Sequence, residues 1–290
     1  LVARSVHPHF RETIRTYLMG TPYIAEEFSF GPSGDFERSD LMDRLTPDVA
    51  GVIFQTPNFF GILEDLQGIA EAVHNNGSLL ILTGHPLSLG VFKSPAEWGA
   101  DISAGEGQPL GIPMEFGGPY LGYLVVKQPL LRRICGRLAG LTEDVNGKRA
   151  FCLTLQAREQ HIRRERAASN ICSNQALCAL AACVYMTLLG KKGIREVGEI
   201  NCDRAYYLRE KISKLKNFQV DLNPIIFNEF KVTALKPFAK IEEKLLSQNI
   251  LPGISLELFY PELKNQFLVC ATETKTKEEM DRYVEALAQC

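Results

Sequence analysis

Apolar positions in the first half of the chain recur in two rhythms. Residues 49–54, Val-Ala-Gly-Val-Ile-Phe, form a short continuous run, the mark of a strand buried on both faces. Residues 62–74 place apolar side chains at helical spacing and predict a helix that Gly77 closes. A second buried strand is expected over 78–82, a third over 100–103 and a fourth over 120–126. Ahead of these, Ser5-Val6-His7-Pro8-His9 reads as the end of a strand or loop feeding a helix with proline in its first turn. Strands alternating with helices argue for an α/β fold with a mostly parallel sheet covered on both faces. Ligand sites in such sheets lie in the loops that follow the strands. Those loops are Gln55-Thr56-Pro57-Asn58, Gly84-His85-Pro86 and the segment from Gly105 to Gly111.

After Asn170 the rhythm changes. Residues 173–189 are rich in Ala and Leu, 196–215 continue at helical spacing, and Gly190 and Gly193 stand between them, so two long helices are expected. Short strands over 218–221, 229–233 and 267–271 follow, with helices over 239–247 and 277–287. Thr276, with Glu279 three residues on, forms a capping box for the last helix. The expected organisation is a large domain over 1–170, then linking helices and a smaller α+β domain over 171–290. The chain opens on Leu1-Val2-Ala3-Arg4 without initiator Met or signal-peptide pattern, and is expected to be part of a longer one.

Composition narrows the classes. With 290 residues, 46% hydrophobic and 23% charged, the chain can bury one large core or two smaller ones. The net charge of -2 leaves no basic stripe of the kind that binds nucleic acid. The longest apolar runs, such as 49–54 and 79–82, are far shorter than the roughly 20 residues that cross a bilayer, so no membrane span is expected. Eight Cys occur without a CxxC pair, and Cys172, Cys178 and Cys183 fall in apolar helical patterning. Neither a disulfide framework nor a metal site is suggested, and reduced thiols fit a cytoplasmic location.

Two segments carry candidate chemistry. Gly105, Gly107 and Gly111 put three glycines in seven residues after a strand, which suits either a structural turn or a loop whose backbone approaches a ligand, with Glu106 and Gln108 between them. The spacing is not that of a dinucleotide-binding loop. The second segment holds Arg158, His161, Arg163 and Arg164, followed by Asn170, Cys172 and Asn174. It reads either as a solvated charged face or as an anion-binding and subunit-contact strip, since guanidinium holds phosphate or carboxylate bidentately. His7 and His9 beside Arg11 suit a helix start or a site, and Cys172 a buried apolar position or a redox-active thiol.

The strings running from Gly105 to Pro113, Phe116 to Gly122, Leu155 to Arg164 and Ser169 to Leu177 closely resemble the alpha subunit (subunit 1) of the split glycine cleavage system P-protein, a glycine dehydrogenase (decarboxylating). The likeness covers essentially the whole chain. It implies a pyridoxal phosphate (PLP) transferase fold of type I, in which a lysine after a large-domain strand holds PLP as a Schiff base and the ring acts as an electron sink. Up to residue 170 the lysines are Lys93, Lys127 and Lys148, none of them in the glycine loop. Aligning Ile112-Pro113 with the catalytic beta subunit puts Gln108 where its lysine stands, and a carboxamide cannot form a Schiff base. His85 falls where the beta-type sequence has the Asp that pairs with the pyridine nitrogen.

The resemblance therefore implies a subunit without its own catalytic lysine. PLP is expected in a partner beta subunit, with glycine as substrate and a lipoylated H-protein receiving the aminomethyl group. Gly105, Glu106, Gly107, Gln108, Arg158, His161, Arg163, Arg164, Asn170, Cys172 and Asn174 are the candidates for the shared cleft or subunit interface. Two other readings stay open: a self-sufficient PLP aminotransferase or lyase using Lys93, and a non-catalytic interaction scaffold.

Overall fold

The computed structural model describes residues 1–167, 169–170 and 173–290. Its first part is a six-stranded sheet. β1 (Val2–Ala3) leads to α1 (Pro8–Leu18), β2 (Glu27–Phe28), α2 (Arg38–Arg44), β3 (Gly51–Gln55), α3 (Ile69–Asn75), β4 (Leu79–Thr83), β5 (Ile102–Glu106) and β6 (Gly122–Val126). Strand order is β2-β1-β3-β4-β5-β6, parallel except for the β5–β6 pair. Val52, Phe54, Leu80 and Leu82 are wholly buried, and Leu41, Ile69 and Val73 of α2 and α3 pack on the same core. Pro8 opens α1, and the His7 side chain accepts from the His9 N–H to cap it.

A two-stranded hairpin, β7 (Leu138–Glu143) with β8 (Arg149–Thr154), follows. Then come the short α4 (Gln160–Arg163) and the long α5 (Ala176–Ser213). The two helices expected over 173–215 are one element with a break: Gly190 takes φ 59 and ψ -174, outside helical geometry. The first part of α5 is apolar, with an 18-residue stretch of mean hydropathy 1.4, so by length and composition the helix meets the requirement for crossing a bilayer.

The second sheet combines β9 (Phe218–Gln219), β10 (Glu229–Ala234), β11 (Ile254–Ser255) and β12 (Gln266–Cys270) in the antiparallel order β11-β12-β10-β9. α6 (Phe238–Leu246), α7 (Lys277–Ala288) and the second half of α5 cover it. Phe230, Val232, Phe267, Tyr260, Ile212 and Leu287 form its centre. Thr276 and Glu279 make the expected capping box, the threonine hydroxyl accepting from the Glu279 N–H at 3.1 Å and the carboxylate from the Thr276 N–H at 2.8 Å.

One expectation needs correction. The helix expected over 62–74 forms only as α3, over Ile69–Asn75. Residues before it stay irregular because Ile62 bridges to Ile226 and the Leu63 N–H donates to the Ile225 carbonyl, tying the segment to the second sheet. Phe59, Phe60 and Ile62 consequently belong to the second core, and this loop is the joint between the two sheets.

Candidate functional site

The loops after β3, β4 and β5 converge, as expected for a parallel sheet, on a cleft of about 850 Å³. Gln55, Asn58, Gly84, His85, Glu106 and Gln108 line its large-sheet wall. The opposite wall comes from the second sheet and α7: Glu229, Cys270, Lys275, Glu279 and Arg282. His7 and Phe10 of α1 add a rim, the His7 ring lying 4.9 Å from that of Phe59 and 5.4 Å from that of Phe10.

Hydrogen bonds to one carboxylate fix the β5 end of the cleft. Glu106 Oε1 accepts from the Gln108 N–H at 2.9 Å and the Leu121 N–H at 3.1 Å, so it closes the glycine loop back on the strand that follows. The Gln108 side-chain amide donates to the Ile112 carbonyl. Tyr123 donates its hydroxyl to the Gly84 carbonyl at 3.0 Å, coupling β6 to the loop after β4. Beneath the β3 loop, the Asn58 amide donates to Gly34 O and Glu64 Oε1, and its Oδ1 accepts from the Phe60 and Ile62 N–H groups.

Burial sets the protonation of the cleft. His85 is pushed down to about 4 by desolvation and is neutral at pH 7. Its Nδ1, sealed from solvent, has no hydrogen-bond partner among the described residues. His7 is likewise lowered to about 4, first by burial and then by His9 and Arg11. On the other wall burial raises Glu229 to about 7, and the Cys270 thiol donates to its Oε1 at 3.4 Å. Although Cys270 is exposed at the cleft surface, desolvation of its sulfur and then this carboxylate push the thiol up. A thiol held protonated is a poor nucleophile.

The lysines lie elsewhere, with one exception. Lys93 Nζ sits 4.4 Å from the Trp98 ring centroid and lines a separate small hollow. Lys127 is paired with Asp101 at 2.7 Å, and Lys148 is exposed at the hairpin turn. Only Lys275 reaches the cleft among the described lysines, from the loop just before the α7 cap, 3.9 Å from Glu279. At the β5 loop stands Gln108. A carboxamide there, a neutral imidazole at 85 and the acidic pair Glu106 and Glu229 do not fit a PLP held by this chain through a large-domain lysine.

Of the sequence candidates, Glu106 and Gln108 line the cleft; Gly105 precedes Glu106 at the end of β5 and Gly107 stands between the two, neither of them lining it. Arg158, His161, Arg163, Arg164, Asn170 and Asn174 do not line it. Arg158 is spent locally, donating to the Ile134 and Gly136 carbonyls. Arg163 donates to Ala157 O, and Asn174 Oδ1 accepts from the Ala176 N–H at the start of α5. His161 and Arg164 are exposed, and Cys172 lies outside the described residues. The charge run therefore forms no long helix face, only the four residues of α4. Glu229, Cys270, Lys275, Glu279 and Arg282 had no local signal, because only the packing of the two sheets brings them to the cleft.

The family model for the glycine cleavage system P-protein matches residues 1–287. The chain belongs to the P-protein family. A relative in Desulfitobacterium hafniense, described as probable glycine dehydrogenase (decarboxylating) subunit 1, is 46% identical over 289 residues, covering 100% of this chain and 65% of that protein. The chain thus spans a little under two thirds of that P-protein relative. A solved glycine decarboxylase (P-protein) in inhibitor-bound form superposes with a TM-score of 0.91 at 36% identity, over 99% of this chain and 64% of that one. A C-DES mutant with glycine covalently linked to its PLP cofactor shares the fold alone, with a TM-score of 0.69 at 15% identity, covering 99% of this chain and 73% of that one. The P-protein chain thus has the PLP-transferase fold of type I.

Proposed function

We propose that this chain belongs to the non-lysine alpha subunit of a heteromeric glycine decarboxylase. With a PLP-carrying beta subunit it takes part in decarboxylating glycine and passing the aminomethyl group to the lipoyl arm of the H-protein. The observation that carries the reading is Gln108, a carboxamide with its amide committed to the Ile112 carbonyl, at the loop where the fold would otherwise present a lysine. The relative's description as a subunit 1 supports a second chain. PLP supplies the electron sink for decarboxylation, and in this reading the partner holds it. This chain contributes its own fixed parts. Glu106 pins the turn bearing Gln108, Glu64 and Asn58 hold the β3 loop, and the buried His85 keeps water and charge from the base of the cleft.

Glycine-dependent carbon dioxide exchange tests the reading, measured for this chain, for its candidate partner and for the mixture. This chain alone should give none, and the mixture should exceed the partner alone at least about a hundredfold, the scale on which positioning acts. Exchange by this chain alone, or a mixture no better than the partner, contradicts it.

A further inference from the structure

The polar groups of the cleft divide into those already engaged and those with capacity left. Asn58 spends both its amide and its carbonyl, and Gln55 Oε1 accepts from the His7 N–H at 2.8 Å. Arg282 donates to the Gln248 carbonyl, Tyr283 to the Pro252 carbonyl, and Glu279 closes the capping box. Four side chains are not spent in this way. Glu106 takes both of its N–H partners on Oε1, which leaves Oε2. Glu229 has a weak donor, the Cys270 thiol, on Oε1. His85 makes no side-chain hydrogen bond among the described residues, and Nδ1 is the nitrogen sealed from solvent. Lys275 Nζ is held loosely, 3.9 Å from Glu279.

These groups carry both signs. An ammonium finds a carboxylate on either wall, Glu106 on the large sheet and Glu229 on the second, while a carboxylate finds Lys275. A cation or an anion alone would satisfy half of them. Glu229, half ionised near pH 7, gains full charge beside an ammonium.

The rest of the lining is apolar. Ile250, Leu251, Ile254, Leu268 and Met280 face the same cleft, with Leu251 83% and Ile254 49% exposed, so apolar surface is presented inside a concave site. About 850 Å³ is the size of a pocket for a molecule much larger than a two-carbon amino acid.

We infer that the cleft binds an α-amino acid with a large apolar side chain, such as leucine or phenylalanine, non-covalently, its ammonium held by Glu229 and Glu106, its carboxylate by Lys275 and its side chain against Ile254 and Leu268. This rests on the function proposed above, under which no PLP occupies the cleft, and gives the cleft a ligand of its own. Because Glu106 also pins the turn bearing Gln108, the ligand and that turn share one carboxylate.

Titration calorimetry of this chain tests the site with leucine, glycine, isocaproate, which lacks the amine, and isoamylamine, which lacks the carboxylate. Leucine should bind more than about tenfold tighter than glycine, through the apolar carbons it adds, and at least about tenfold tighter than either analogue. Lys275→Met should weaken leucine and leave isoamylamine unchanged; Glu229→Gln should weaken both and leave isocaproate unchanged. Lys275 is exposed and Glu229 half-buried, and circular dichroism checks that the variants fold. No heat with leucine or phenylalanine, glycine binding as tightly as leucine, or both variants binding leucine normally overturns the inference. Loss of leucine binding when the beta subunit is added would mean that the partner fills the cleft, and also overturns it. In each of these cases carbon dioxide exchange by the mixture still decides the function separately. PLP taken up by this chain alone, with its absorbance changed by leucine, overturns both.

Discussion

Gly61→Ala is expected to leave little or no folded protein. Gly61 sits in the joint between the sheets with φ +80, and a Cβ added there would lie 1.9 Å from the Glu229 carbonyl oxygen and 2.4 Å from its carbon. Neither neighbour can yield, because both are backbone: the Phe227 N–H donates to the Gly61 carbonyl at 2.8 Å, and Glu229 begins β10. The positive φ alone costs an alanine roughly 1–2 kcal/mol. Pushing the joint apart adds the loss of the contacts that Phe59, Phe60 and Ile62 make with the second core, taking the total beyond about 4 kcal/mol, a large part of a domain's stability. Gly68 is the internal control: it has a similar φ of +77 with nothing within 4 Å of the added Cβ, so its alanine variant should lose only the backbone cost. Chemical denaturation of the two variants separates them. Equal stability would mean that the joint is not a close backbone contact.

The second large effect is the pH dependence that Glu64 imposes. This carboxyl is buried, accepting from Ser5 Oγ at 2.7 Å, Asn58 Nδ2 at 2.8 Å and the Phe36 N–H at 3.0 Å. Burial raises it to about 7 against these hydrogen bonds, from an ordinary value of 4.5. A carboxyl with a raised folded value favours the folded state in its neutral form. Its contribution is therefore complete below pH 4.5 and is lost as pH rises through about 7. From pH 5 to 8 the loss is on the order of 3 kcal/mol, so the melting temperature should fall across that window. Glu229, also raised to about 7 by burial, acts in the same direction. Glu64→Gln cannot ionise, so it should flatten the slope. It should also start about 1–3 kcal/mol less stable at pH 5, since its –NH2 faces a donor either way it turns, the Phe36 N–H in one orientation and the Asn58 amide in the other. Thermal melts against pH decide it, and an unchanged slope in Glu64→Gln would show that Glu64 does not titrate in this window.

Much of the large sheet was legible because its strands are buried on both faces and read as continuous apolar runs. Residues 49–54 and 78–82 led to β3 and β4 within two residues, and the loops after them bound the cleft. The capping box at Thr276 was legible for a local reason, since both its bonds lie within one turn. The overextended helix at 62–74 failed where long-range packing intervened. Ile62 and Leu66 do bury, at a spacing that suits a helix, but Ile62 belongs to the joint, and Gly61 and Gly68 at positive φ keep the segment out of helical geometry. The β7–β8 hairpin was not anticipated, and its strands carry exposed apolar residues on a sheet of their own. Half of the cleft was invisible for the same reason as the joint: Glu229 and Cys270 meet Gln108 only when the two sheets close on each other.

The most direct test of the account reduces the mixed complex with borohydride in the presence of PLP and locates the pyridoxyl adduct by mass spectrometry. An adduct on a lysine of the partner, and none on this chain, is expected. A stoichiometric adduct on this chain, at Lys275 in the cleft or at Lys93 beside Trp98, would contradict it.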